Sequence, residues 1–300
     1  MRPRHLALAV GLAAVWGFNF VVMQAGLRHF PPLLYAGLRF TLAAFPALLF
    51  VGRPGVAWRW VFAVAATIGV GQFGLLLVGM RAGMPAGLTS LVLQIQALFT
   101  VVFAVTLLGE RLSARRVAGL AVAFCGLALV AVDFTLTSHA AAPVVAFALC
   151  VAAAAAWGLG NVAQRKAAPP DSLRFMVWVS ALSAPPLLLL SLTLEGVPTL
   201  ATLISPASAE GWLSLVYVAF ISTLGGFGLW GWLLRRYDAS TVAPYTLLVP
   251  VFGMSSAALV TGEPISWLKL GAAVLIVAGV LYTNTRGRKA VPQPEPALSR

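Results

Sequence analysis

Among the polar side chains inside long apolar stretches of this 300-residue chain, five amides and one guanidinium stand out: Asn19, Gln72, Gln94, Gln96, Asn161 and Arg39. An amide offers donors and acceptors without a fixed charge, so a group of them can bond an ammonium and a carboxylate alike. A guanidinium fork matches a carboxylate through two parallel bonds. Polar side chains in hydrocarbon are costly and mark solute pathways. The competing explanation for any one amide is a bond between helices, worth about 0.6–2 kcal/mol. For a lone amide the two explanations weigh the same; for Asn19, Gln72 and Gln94 together a shared polar cavity is favoured. Gln94 and Gln96 are two residues apart, about 200° on a regular helix, so they are not expected to face one cavity. Arg39 lies about five residues from the end of its stretch. A carboxylate clamp competes there with a side chain that snorkels to the membrane surface, and position favours snorkelling.

Aromatic residues divide in the same way. Most Trp residues of membrane proteins anchor at the interface, and Trp58, Trp60, Trp212 and Trp267 fit that role at the edges of apolar runs. Trp16 and Trp157 lie well inside theirs and are candidates to line a solute path; Trp178, Tyr217 and Trp230 are weaker ones. Tyr245 sits between Pro244 and Pro250. Broken backbone there would offer carbonyls to a ligand, although a simple helix kink explains the prolines more economically. Glycines such as Gly69, Gly71, Gly225, Gly226 and Gly228 fit close helix approach, with hinges as the alternative.

The acidic residues and histidines are placed differently. All eight carboxylates (Glu110, Asp133, Asp171, Glu195, Glu210, Asp238, Glu263 and Glu295) fall at the ends of apolar runs, in loops or in the tail, as do His5, His29 and His139. Proton-coupled carriers place such groups within the bilayer, so no mid-membrane carboxylate relay is expected. Glu110 and Glu263 are read as caps of the helix that follows each. Nucleophilic catalysis needs a base beside the nucleophile, and no His or carboxylate is placed to activate the Ser and Thr of the apolar runs. No phosphate-binding Gly-rich loop and no metal-ligand spacing occurs. Cys125 and Cys150 sit in apolar runs and read as small hydrophobes. No catalytic residue, metal or cofactor is expected.

These side chains are carried by elements that only a membrane accommodates. Hydrophobic residues make up 60% of the chain and charged residues 9%, and mean hydropathy is +0.94; soluble domains carry about 25% charge. Apolar runs are continuous rather than alternating, which argues for helices over a β-barrel. Ten runs are long enough: 6–27, 34–51, 60–80, 86–108, 117–133, 143–163, 175–194, 212–233, 240–260 and 267–283. A net charge of +12 would suggest nucleic acid in a soluble protein, but here the basic residues sit in short loops, and no nucleic-acid partner is expected. With the N-terminus inside, cytoplasmic segments hold sixteen Lys and Arg and outer segments hold three, Arg28, Arg81 and Lys269. That asymmetry predicts both termini in the cytoplasm, with the first run retained as a helix rather than cleaved as a signal. The Pro-containing tail from 284 to 300 reads as disordered.

The runs repeat. Trp16-Gly17-Phe18-Asn19 returns as Trp157-Gly158-Leu159-Gly160-Asn161, and Gly109-Glu110 returns as Gly262-Glu263. Ala86 and Gly126 map onto Ala239 and Gly279 at the same 153-residue offset. Five runs fall in 6–133 and five in 143–283, and five is odd, so the second half enters from the opposite side. Inverted repeats of this kind are a transporter architecture with a site near the midplane. One chain encloses such a site, so a monomer suffices. A membrane-embedded enzyme is the weaker alternative.

These ordered, duplicated motifs, Trp-Gly-x-Asn in run one, the same motif with one extra residue in run six, and Gly-Glu after runs four and nine, resemble the EamA family of the drug/metabolite transporter superfamily over roughly 6–283. Further matching stretches are Pro31-Pro32-Leu33, Ala36-Gly37-Leu38-Arg39-Phe40, Gly83-Met84-Pro85-Ala86-Gly87-Leu88 and Leu247-Leu248-Val249-Pro250-Val251. The resemblance implies an all-α integral membrane fold of ten helices in two inverted five-helix repeats. It also implies alternating-access export of small amino-acid metabolites, of the cysteine/O-acetylserine type, across the inner membrane. It favours Gln94 as a cavity residue, with Gln96 left to helix packing. A carrier of another metabolite or drug within the superfamily is the alternative. The expected partners are a zwitterionic small-molecule substrate and membrane lipids.

Overall fold

The computed structural model describes residues 2–45, 47–109, 114–137, 143–196, 209–237 and 242–284. Among these the chain is helical, without a strand. Eight helices are long and apolar enough to cross a membrane, and two shorter apolar helices, Tyr245–Thr261 and Trp267–Tyr282, bring the number to ten. The chain is a multi-pass membrane protein. Its tail beyond Asn284, and Glu110, lie outside the described residues.

Helix α1 spans Pro3–Gly26 and α2 Pro32–Ala44. Helix α3 runs Trp58–Arg81, with a π-helical segment at Ala65–Gln72. Helix α4 runs Ala86–Leu108, with a 3-10 turn at Leu93–Ile95. Helices α5, α6 and α7 are Ala114–Thr137, Pro143–Ala167 and Ser172–Leu194. Helix α8 runs Ala209–Arg236 with a π segment at Tyr217–Gly225. Helix α9 opens with a 3-10 segment, Ala243–Leu248, before Val249–Thr261, and α10 is Trp267–Asn284. Proline opens α1 and α2, where its missing N–H costs nothing. Gly109 and Gly262 end α4 and α9 at φ 67° and 68°. That left-handed geometry suits a residue without Cβ.

The irregular segments repeat with the sequence. The π segments of α3 and α8, the 3-10 segments of α4 and α9 and the left-handed glycines all sit close to 153 residues apart. Packing repeats too. Helix α1 lies on α9 as α6 lies on α4; α3 lies on α6 as α8 lies on α1; α2 pairs with α7 and α5 with α10. Renaming each helix by five therefore exchanges one set of contacts for the other, which is the pattern of a pseudo-two-fold axis. The halves interlock, with each helix of the first packed on the second.

Gly17 and Gly158 explain the glycine of the duplicated Trp-Gly pair. A Cβ on Gly17 would lie 2.7 Å from the Val249 carbonyl oxygen and 2.8 Å from the Gly253 nitrogen on α9. One on Gly158 would lie 2.8 Å from the Thr100 nitrogen on α4. Backbone meets backbone at both crossings, as small residues permit in membranes. Large apolar side chains on the outside, including Leu136, Leu259 and Trp267, are exposed where lipid would surround them.

Two glutamates fasten the halves. Glu195, at the end of α7, accepts from the Leu33 and Leu34 nitrogens at 2.7 and 3.0 Å, capping α2. Glu263 accepts from the Gly87 and Leu88 nitrogens at 2.9 and 3.3 Å, capping α4. The expectation that Glu263 caps the helix after it is therefore corrected. Its chain reverses at Gly262, and the side chain turns to the helix of the other half, whose unpaired N–H groups face it.

Candidate functional site

Between the halves lies a cavity of about 300 Å³. Its wall contains Trp16, Asn19, Arg39, Gln72, Gln94, Trp157 and Asn161, the seven of eight candidate residues that the fold brings together. The eighth, Tyr245, is outside the wall and packs with Val242 and Leu233 in a separate cluster; its neighbour Thr246 lines the cavity instead.

Arg39 decides the electrostatics. It is 2% exposed, so it does not snorkel to the interface as its position suggested. Thr223 of α8 and Phe73 of α3 close over it on the inward side of α2. Its Nη2 donates to Thr223 Oγ1 at 2.9 Å. The guanidinium lies 3.8 Å from the centroid of the Phe73 ring and 4.9 Å from that of Phe40, contacts that attract a cation. Its Nε and Nη1 have no hydrogen-bond partner. The π segment of α8 prepares the acceptor: with five-residue spacing, the Thr223 hydroxyl donates to the Val218 carbonyl at 2.8 Å, leaving its oxygen to receive Arg39. No Asp or Glu lies in the cavity wall among the described residues.

The amides share this cavity wall. Asn19 is 7% exposed and its Oδ1 has no partner; its Nδ2 makes only a 3.7 Å contact to Met23 Sδ. Asn161 Nδ2 donates to Gln96 Oε1 at 2.6 Å and to Thr100 Oγ1 at 3.1 Å, joining α6 to α4. Gln94 Nε2 points to the Thr246 carbonyl at 3.4 Å, linking the 3-10 segments of α4 and α9. Gln96 both packs and lines the cavity beside Gln94, which corrects the expectation that they face apart. Three residues per turn in the 3-10 segment rotate them about 240°, so the angle between them closes from about 160° to 120°.

Trp16 sets one wall. Its Nε1 donates to the Ser222 carbonyl in the π segment at 3.0 Å, and its ring tilts against Phe227 and Trp230. Trp178 bonds the Gly52 carbonyl instead and stays out of the wall. Tyr217 donates to the Val15 carbonyl at 2.9 Å, tying α8 to α1.

The EamA-like transporter family model matches residues 4–132 and 144–285. The chain belongs to that family. A "Probable amino-acid metabolite efflux pump" of Salmonella typhimurium is 44% identical over 93% of this chain and 94% of its own length. A protein of the same description from Escherichia coli is 42% identical over 97% and 99%. A solved crystal structure superposes with a TM-score of 0.63 at 22% identity over 92% of this chain and 95% of that one, a likeness of fold alone.

In this EamA-like transporter the cavity also takes Gln164, Ser90, Ser222, Thr223 and Thr246, residues not singled out in the sequence. Gln164 had a signal: it follows Trp157 and Asn161 at i+7 and i+3, on one helical face. Ser222 and Thr223 had none, because hydroxyls are common in apolar helices and the π segment that aims them is not legible in composition.

Proposed function

We propose that this chain exports small amino-acid metabolites of the cysteine/O-acetylserine type across the inner membrane by alternating access, with both termini in the cytoplasm and one chain as the working unit. The observation that carries this reading is Arg39, buried in the cavity wall with two unpartnered nitrogens. A cargo carboxylate would supply the anion that the protein does not. The amides of Asn19, Gln72, Gln94 and Asn161 would bond the ammonium and side chain, with Trp16 and Trp157 as apolar walls. About 300 Å³ is at the small end of ligand pockets, which run about 300–1,000 Å³, in keeping with a small metabolite. The efflux-pump names of the relatives support the same class. Paired irregular segments in α3 and α8 and in α4 and α9 supply sites where the halves can bend, since such turns accompany functional hinges. The test is efflux from cells preloaded with labelled cysteine or O-acetylserine. Efflux faster than from cells lacking the protein, and lost in Asn19→Ala, is the expected result; rates no different from control cells would remove these cargoes.

A further inference from the structure

The cavity holds one formal charge, and no carboxylate among the described residues balances it. Of the eight acidic residues, five are described, and each is engaged elsewhere. Glu195 caps α2 and Glu263 caps α4. Asp171 accepts from the Arg174 nitrogen that opens α7. Glu210 pairs with His29 at 2.9 Å, and Asp133 accepts from Ser266. Arg39 is left with Thr223 and two aromatic faces. These stabilise a cation but do not neutralise it, and an unbalanced charge is costly in a poorly hydrated interior.

Resting on the reading above, we infer that the cavity sorts cargo by net charge and prefers small monocarboxylates lacking a free ammonium to zwitterions of equal size. A bound monoanion brings the site to zero. A zwitterion leaves it at one positive charge and adds a second problem: its ammonium must leave water for neutral acceptors. Asn19 Oδ1 is such an acceptor, buried and unpartnered, and it satisfies the geometry of an N–H without cancelling the charge. A cargo with its carboxylate masked meets Arg39 as a like charge and is excluded.

The experiment uses purified protein in liposomes loaded with one labelled solute at a time. O-acetylserine and N-acetylserine are isomers with the same atoms; the first is a zwitterion and the second, with its nitrogen in an amide, a monoanion. Serine methyl ester is the cation. At subsaturating load, N-acetylserine should leave about tenfold faster than O-acetylserine, the ratio given by one ammonium N–H left without an acceptor after Asn19 Oδ1 has taken another, and the ester should leave no faster than from protein-free vesicles. Arg39→Gln should bring the isomer ratio towards one, while Arg39→Lys should keep its order. The wild-type ratio needs no variant to fold. Equal rates, or faster O-acetylserine, would overturn the charge preference and leave the exporter reading standing. Rapid N-acetylserine without O-acetylserine flux would uphold the preference and remove the zwitterionic cargo. Flux of neither isomer would overturn both.

Discussion

A guanidinium with two unpartnered nitrogens, 2% exposed in the interior, does not earn its place by stability. Replacing a buried charge by an apolar side chain of similar volume is often neutral or stabilising. Arg39→Met should therefore melt at or above the parent temperature in detergent while efflux falls more than tenfold; a variant that melts several degrees lower would make Arg39 a structural residue. Glu263 is the opposite case. It serves two backbone N–H groups at the start of α4, with Lys269 Nζ 3.9 Å away. Glu263→Ala should lower stability by about 1–2 kcal/mol, the value of a charged cap, read as a drop in thermal midpoint; an unchanged midpoint would mean that water replaces the cap.

Helix crossings carry the next set of constraints. At Gly17 the neighbouring atoms are the Phe252 Cβ and the backbone of Val249 and Gly253, none of which can rotate away. Gly17→Val should separate α1 from α9 and cost at least about 1–3 kcal/mol, the usual range for overpacking, with transport lost. Gly228→Ala is the matched control, since nothing lies within 4 Å of a Cβ there; its stability and efflux should be those of the parent. The ten helices and their order were legible because hydropathy and loop charge are properties of whole segments, and the runs at 86–108 and 143–163 fall within a residue or a few of α4 and α6. The cavity was legible as residue types, through Asn19, Gln72, Gln94 and Asn161, but not as directions. A regular-helix angle separated Gln94 from Gln96, and the 3-10 turn at Leu93–Ile95 undid it. The depth of Arg39 was hidden for a similar reason: distance from a helix end says nothing about which face α3 and α8 cover.

At the scale of the molecule, the exchange of contacts between the five-helix halves gives the site contributions from both: Asn19, Arg39, Gln72 and Gln94 from the first, Trp157, Asn161, Thr223 and Thr246 from the second. A solute held there would touch both halves, as the proposed alternating access requires. The loop charges predict both termini in the cytoplasm, so a fluorescent protein fused to the C-terminus should glow and a periplasmic phosphatase fused there should be inactive; the reverse pair would invert the topology. The most direct measurement remains transport by the purified protein. Liposomes containing the wild type should release labelled O-acetylserine or N-acetylserine well above protein-free vesicles, and Arg39→Gln, folded by its melting curve, should release both at least tenfold more slowly. Wild-type flux with the variant unimpaired would contradict the assignment of this cavity as the transport path.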